Sequence, residues 1–438
     1  MKEKLIKAVK RKVDKAEVYY YRANINSVQY ENGKLSQLEG SIQSGYSLRI
    51  IKNRRLGFAY TKNLISPQAL INSALESLKA NNLTDLDFPA TKKVRRIDTY
   101  NSAIEKVDCE KVVRECKRIT SLIQEEVKAK IDVSAVFGVV EINIFNTNGA
   151  NLRSRSSFYR LLCNIILPDT AAGFYHSHFD KTFSKVPQKE IQKLISIYKK
   201  ALPERKLESG RMKVLFLPET LYTFLWRLAS GTNGANIYYK KSPLVNKIGE
   251  KIFSEKLTIY DDPLNDRYPL ARAFDDEGTP TRRLVIVEKG ILKNHYYDLY
   301  FADKMKNNST GNGYKGTMWG GEFASLKPNP QLEHIIIEPG TKSLEELIGL
   351  MDKGLIVAGV LGAHSGNIPN GDFSVGIAPG LYVEKGNILG RVKNTMIAGN
   401  IYEIMKNVVE VENRLHPVFM FGKALPAILF DDLMVVSS

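Results

Sequence analysis

Asn32-Gly33 narrows the choice of fold more than any other feature of this chain. Asn and Gly both accept φ > 0, so the pair makes the tight turn of a β-hairpin. Before it, Val18, Tyr20 and Arg22 alternate as one face of a strand. After it, LSQLEGSIQSGYSLRIIKNRRLGFAYT reads as two more strands, punctuated by Gly45 and Gly57. Asn148-Gly149 repeats the signal between strands predicted over 133–145 and 152–167. Farther on, the phrase VEKG occurs at 287–290 and again at 383–386, each time between apolar runs, which predicts the same turn twice.

Helices fill the intervals. The spacing predicts them over 2–13, over 67–80 with Ser66 as N-cap and Pro67 in the first turn, over 109–129 and over 188–201. Ser343 with Glu346 forms a capping box for another. The charged, Gly- and Pro-punctuated stretch 201–213 marks a domain boundary. The expected fold is α+β in two domains. Residues 1–205 place helices on a mixed sheet. Residues 206–438 are strand-rich, with a large, mainly antiparallel sheet.

The charge is uneven. Residues 1–200 hold 35 Lys and Arg against 20 Asp and Glu, whereas residues 201–438 hold 28 against 27. A basic half raises a nucleic-acid reading. The cations are scattered, aromatic interleaving is weak, and no helix-turn-helix, RNP or zinc-finger spacing occurs. A lysine-rich solvated surface is the plainer expectation, with nucleic acid not expected as partner. No apolar run is long enough to span a membrane, and the amphipathic N-terminus has no signal core. Three cysteines without a C-x-x-C pair suit reduced thiols in a cytoplasmic chain.

Candidate chemistry is sparse. A zinc-hydrolase helix needs two histidines three to five residues apart. None of the six histidines satisfies this, and none lies between His178 and His295. His176 and His178, two apart on one strand face, could hold a metal with Asp180; the plain reading is a strand end. His364 and Ser365 are adjacent, poor geometry for a base and its nucleophile. Asp261-Asp262 and Asp275-Asp276-Glu277 are expected to shape loops and pair with Arg282 or Arg283. The Gly-rich segments 230–236 and 310–316 lack any phosphate-loop spacing. They are read as loops that a peptide backbone can approach closely.

Four phrases occur in order: FDDEGTPTRRLVIVEKGILKN (274–294), STGNG (309–313), GDFSVGIAPGLYVEKGNI (371–388) and MIAGN (396–400). With SGYSLRIIKNRRLGFAYT (44–61), they resemble the TldD/PmbA family over about residues 15–430. The resemblance implies a cytoplasmic, two-domain, metallopeptidase-related protein from a family whose two branches pair as a heterodimer. One branch carries His-Glu-x-x-x-His on the helix after the first strand of the C-terminal domain, and a late cysteine. The PmbA-like (TldE) branch lacks both. Here the matching helix reads Arg227, Leu228, Ala229, Ser230 and Thr232, and no cysteine follows Cys163. The chain therefore resembles the metal-free branch, and no catalytic or metal-binding residue is carried over.

The resemblance thus implies a non-catalytic subunit for processing small or unfolded peptides. Zinc is expected in a TldD-like partner rather than in this chain, and the partner is that homologue or a second copy. The expected peptide contacts are Gly231, Asn233, Gly234 and Asn236; Thr310, Gly311, Asn312 and Gly313; and His364 with Ser365. The alternatives are a stand-alone metal-dependent peptidase using His176, His178 and Asp180, or a DNA-binding modulator of DNA gyrase, an older label for the family.

Overall fold

In the computed structural model, which describes residues 2–316, 322–418 and 424–437, the hairpin signals build the first sheet. Its strands are β1 (Lys15–Glu31), β2 (Lys34–Lys52), β3 (Arg55–Thr61), β4 (Lys130–Asn146), β5 (Asn151–Ile166) and β6 (Gly173–Asp180). Asn32 and Gly33 take φ of 47° and 82°, closing Glu31 onto Lys34. The strand order is β3-β2-β1-β4-β5-β6. Every pairing is antiparallel, so the expected mixed character of this sheet is corrected. Four of its five connections are direct returns between neighbouring strands. The long excursion from β3 also re-enters antiparallel to its new neighbour, β1.

Helices α1 (Lys2–Lys10) and α2 (Pro67–Glu76) cover one end of the sheet through Leu5, Val9, Leu70 and Ile71. Helix α3 (Cys109–Gln124) starts where Asp108 accepts from the Lys111 N–H at 2.6 Å. Its stripe of Val112, Cys116, Ile119 and Ile123 packs with Ile191 and Ile195 of α4 (Gln188–Lys200) on Val133, Phe137 and Leu161. Regular spacing of apolar residues specifies this layer.

The second half is organised by a nine-stranded sheet that starts with β7 (Gly210–Phe216). β7 runs parallel to Lys353–Val357 and antiparallel to Ile428–Ser437; the other pairings in this sheet are antiparallel. Val214, Phe216, Leu355 and Val357 face the core of the second half. Leu215, Ile356, Leu381, Val383 and Leu429 face the other way and join the core of α3 and α4. The two sheets thus share a helical layer.

Both VEKG phrases turn hairpins. Lys289 and Gly290 take φ of 46° and 77°, and Lys385 and Gly386 take 47° and 71°. Ser343 and Glu346 form the expected capping box. No helix among the described residues is long and apolar enough to cross a membrane.

Candidate functional site

The segment after β7 bends in a way the sequence did not suggest. Helix α5 (Tyr222–Thr232) stops at Asn233, whose side chain accepts from the Ala235 N–H at 2.8 Å and starts α6 (Gly234–Tyr238). The Gly-rich stretch read as a loop is a corner between two helices. Gly231 and Gly234 are buried there by close packing. A Cβ on Gly231 would lie 2.1 Å from Tyr402 Oη, and one on Gly234 would lie 2.3 Å from Tyr297 Cδ1.

The centre of α5 is a buried cation. Arg227 is fully buried. Its Nε donates to Asp372 O at 2.6 Å and its Nη1 to Thr223 O at 2.8 Å. Its Nη2 donates to Ala363 O at 3.0 Å and to Ser365 O at 2.7 Å. Burial pulls its pKa down to about 10, which leaves it protonated at neutral pH. The guanidinium therefore organises four carbonyl oxygens from three segments. It also fixes the turn of His364 and Ser365: His364 is exposed, and the Ser365 N–H binds Gly362 O at 2.8 Å.

This helix does not fit a zinc ion. Zinc takes imidazole, thiolate or carboxylate donors. Here Thr232 Oγ1 bonds Leu228 O at 2.8 Å, Ser230 Oγ accepts from Asn236 at 3.0 Å, and a fixed positive charge lies one turn before. Among the described residues, no group of three or more His, Cys, Asp or Glu side chains is arranged to hold a metal. The alternative set of His176, His178 and Asp180 is corrected on the same ground. His178 Nε2 is engaged with Ser184 Oγ at 2.8 Å, and Asp180 Oδ1 accepts from the Lys181 N–H at 2.7 Å. Burial pushes His176 down to about 4, leaving the neutral imidazole that a metal takes, but the two groups that would complete the set are engaged elsewhere.

Beside α5 opens a cleft of about 710 Å³ between the first sheet and the second half. Trp226, Ala229, Ser230, Asn233 and Asn236 form its helical wall; Tyr21, Ile142, Ser156 and Arg160 line it from the sheet; Lys315 and Gln331 lie on its loops. Of the expected peptide contacts, Asn233 and Asn236 line this cleft. Thr310, Gly311, Asn312 and Gly313 are buried and face inward, which corrects their reading as an open loop. Asn312 Nδ2 donates to Asp261 Oδ2 at 2.9 Å, and the Gly313 N–H donates to Asp275 Oδ2 at 2.9 Å. Gly311, at φ 79°, would place a Cβ 2.6 Å from Pro280 O. The loop buttresses the acidic turn.

That turn belongs to a buried ionic network that sequence reasoning missed. Asp276 pairs with Arg272, and Glu277 pairs with Arg49, which also holds Glu17 at 2.7 Å. The expected partners Arg282 and Arg283 are not used; Arg283 lies over the Tyr260 ring at 3.8 Å. Lys315 Nζ donates to Ser47 Oγ and sits 4.2 Å above the Tyr19 ring. The network ties β1 and β2 to the loops of the second half. Burial pushes Glu17 up to about 7, against the pull of Arg49, and pushes Lys315 down to about 7, against the pull of Asp276.

The Lys315 shift has a measurable sign. The unfolded chain keeps this proton up to its ordinary 10.5, so above about 7 it binds more protons than the folded chain. Lys315 therefore favours folding increasingly as pH rises from about 7 to about 9, by at most about 1.4 kcal/mol per pH unit. Glu17 acts with the opposite sign and below this window: its raised pKa gives stability that is lost as pH rises to about 7. In urea denaturation across that range the wild type should gain stability relative to Lys315→Met as pH rises. A constant difference would contradict the buried amine.

Residues 209–437 match the family model described as the PmbA/TldA metallopeptidase C-terminal domain, and residues 16–79 match domain 1 of the same family. The chain belongs to the PmbA/TldD family. TldE from Thermococcus kodakarensis superposes with a TM-score of 0.91 at 25% identity, over 100% of both chains. An uncharacterized protein of Methanocaldococcus jannaschii is 26% identical over 98% of each chain. A Buchnera aphidicola protein described as a metalloprotease PmbA homolog is 33% identical over 52% of this chain and 46% of its own length. Within this PmbA/TldD fold, the helix after β7 is where the present chain spends its core position on Arg227.

Proposed function

We propose that this chain is a metal-free subunit of a PmbA/TldD-type peptidase, working in the cytoplasm beside a homologue that carries the zinc. The observation that carries this reading is the face of α5 that lines the cleft: Trp226, Ala229, Ser230 and Asn233 offer a metal no imidazole, thiolate or carboxylate. The end-to-end likeness to a protein called TldE supports it. The cleft beside α5 supports a role in holding an extended peptide. Its walls offer the side chain of Asn236 and an aromatic surface from Trp226 and Tyr21, while the Asn233 amide is held by Ala235 and Pro330. The strands on its wall, β1, β4 and β5, are each paired on both sides, so side-chain contacts of this kind would hold a peptide with little sequence choice, as suits unfolded or leader peptides.

The test is reconstitution. The purified chain alone should show no zinc-dependent cleavage of a casein-derived peptide. Addition of a homologous chain bearing His-Glu-x-x-x-His should give a stable complex that cleaves the peptide and is inhibited by chelator. Zinc-dependent cleavage by the lone chain would overturn the subunit reading. Failure of the two chains to associate would overturn the partnership.

A further inference from the structure

Between Leu83 and Asn101 the chain has no helix or strand beyond one isolated bridge, yet it is fastened along its length. Asn148 Nδ2 donates to Phe88 O at 2.7 Å and Asn146 Nδ2 to Pro89 O at 2.8 Å. At the other end the Asp98 N–H binds Asp266 Oδ2 at 3.1 Å, and the Ser157 N–H binds Thr99 O at 2.9 Å. In between, Val94 and Ile97 pack into the apolar cluster of Tyr21, Val140 and Ile142. Those three residues also line the cleft beside α5.

This strap carries Lys92, Lys93, Arg95 and Arg96, all exposed. None makes a hydrogen bond or ion pair among the described residues. The strap's own acids do not neutralise them. Asp85 pairs with Arg54 at 2.6 Å, Asp87 with Lys15 at 3.2 Å and Asp98 with Lys181 at 3.1 Å. The fold thus supplies outside cations to every nearby carboxylate of the strap and leaves four like charges in five residues without a counter-ion. Such crowding is repulsive within a Debye length. Because the backbone beneath is already fastened, an incoming anionic chain loses little affinity to ordering it.

We propose that residues 92–96 form a docking site for acidic, extended segments of the peptides that enter the adjoining cleft. This rests on the reading of that cleft as a peptide site. Carboxylates spaced along an extended chain would meet the row of cations on the rim while the neighbouring residues reach the cleft. An acidic peptide is favoured over nucleic acid because 91–97 contains no aromatic side chain on which a base can stack.

The test uses the full chain and fluorescence anisotropy with a short labelled peptide of alternating Glu and Ser. The matched controls are a Gln/Ser peptide, a Lys/Ser peptide and single-stranded DNA. Binding of the Glu/Ser peptide should exceed that of the Gln/Ser peptide, weaken at raised salt, and fall about tenfold when Lys92, Lys93, Arg95 and Arg96 are all changed to Ser. A second variant, Lys199→Ser with Lys200→Ser on α4, removes exposed charge away from the strap and should leave binding unchanged. Equal binding by the strap variant and the wild type would overturn the site. So would tighter, strap-dependent binding of the DNA, which would make this a nucleic-acid surface. Cleavage of the Gln/Ser peptide by the reconstituted complex reports on the cleft alone, so a failure of the strap and a failure of the peptidase-subunit reading give different results.

Discussion

Arg227→Met should destabilise the protein by about 3–5 kcal/mol, the range for removing one partner of a buried charged arrangement. Methionine fills much of the volume, so the loss is polar rather than a cavity effect. The carbonyls of Thr223, Ala363, Ser365 and Asp372 would each lose a charge-assisted donor, those of Thr223 and Ala363 in fully buried bonds. Arg227→Lys should fall between wild type and Arg227→Met, because an ammonium offers a compact charge without the planar fork that reaches several acceptors at once. Equilibrium urea denaturation of the three proteins gives the comparison. A loss below about 1 kcal/mol for Arg227→Met would mean that the guanidinium is replaceable. Such a result would show that the turn of His364 and Ser365 does not depend on this guanidinium.

Arg49→Met should have an effect of similar size, again about 3–5 kcal/mol, through a different route. Arg49 lies between Glu17 on β1 and Glu277 on the acidic turn, and all three side chains are buried. Without the guanidinium, two carboxylates face each other in the seam between the first sheet and the second half. Each must then either take up a proton or force the seam apart. The triple change Arg49→Met, Glu17→Gln, Glu277→Gln should recover most of the loss, since it removes the uncompensated charge together with the pair. Limited proteolysis supplies a second readout: the stretch between α4 and β7 should become cleavable in Arg49→Met and resist again in the triple variant. A single variant as stable as the wild type would show that the seam does not depend on this ion pair.

The parts of this structure that were legible in the sequence are those decided within a few residues. Asn32-Gly33, Asn148-Gly149 and both VEKG turns are local chemistry, and the apolar stripes of α3 and α4 are local spacing. The capping box at Ser343 is likewise complete within four residues. What escaped was set by contacts far along the chain. Arg227 reads as an unexceptional helical residue until Ala363, Ser365 and Asp372 arrive around it. Asp275-Asp276-Glu277 invited pairing with Arg282 or Arg283, but Asp276 took Arg272 and Glu277 found Arg49, 228 positions away. Glycine in 310–313 signalled close approach correctly and accessibility wrongly: the backbone that comes close to Gly311 is that of Pro280, inside the protein. For the candidate site, the helix carrying it was legible from the strand before it. The cleft was not, since its opposite wall comes from β1, β4 and β5.

The position of the strand Ile428–Ser437 has a consequence for biosynthesis. It lies inside the nine-stranded sheet, between β7 and Thr395–Asn400, and joins Ser209 to Ser437 across 228 positions. The first sheet needs nothing beyond Asp180, so it can assemble while translation continues. β7 emerges soon afterwards with both edges awaiting neighbours that the ribosome has not yet made, Lys353–Val357 and, last of all, Ile428–Ser437. Throughout that interval the nascent second half displays an unsaturated, largely apolar strand edge, which makes it the segment most in need of a chaperone.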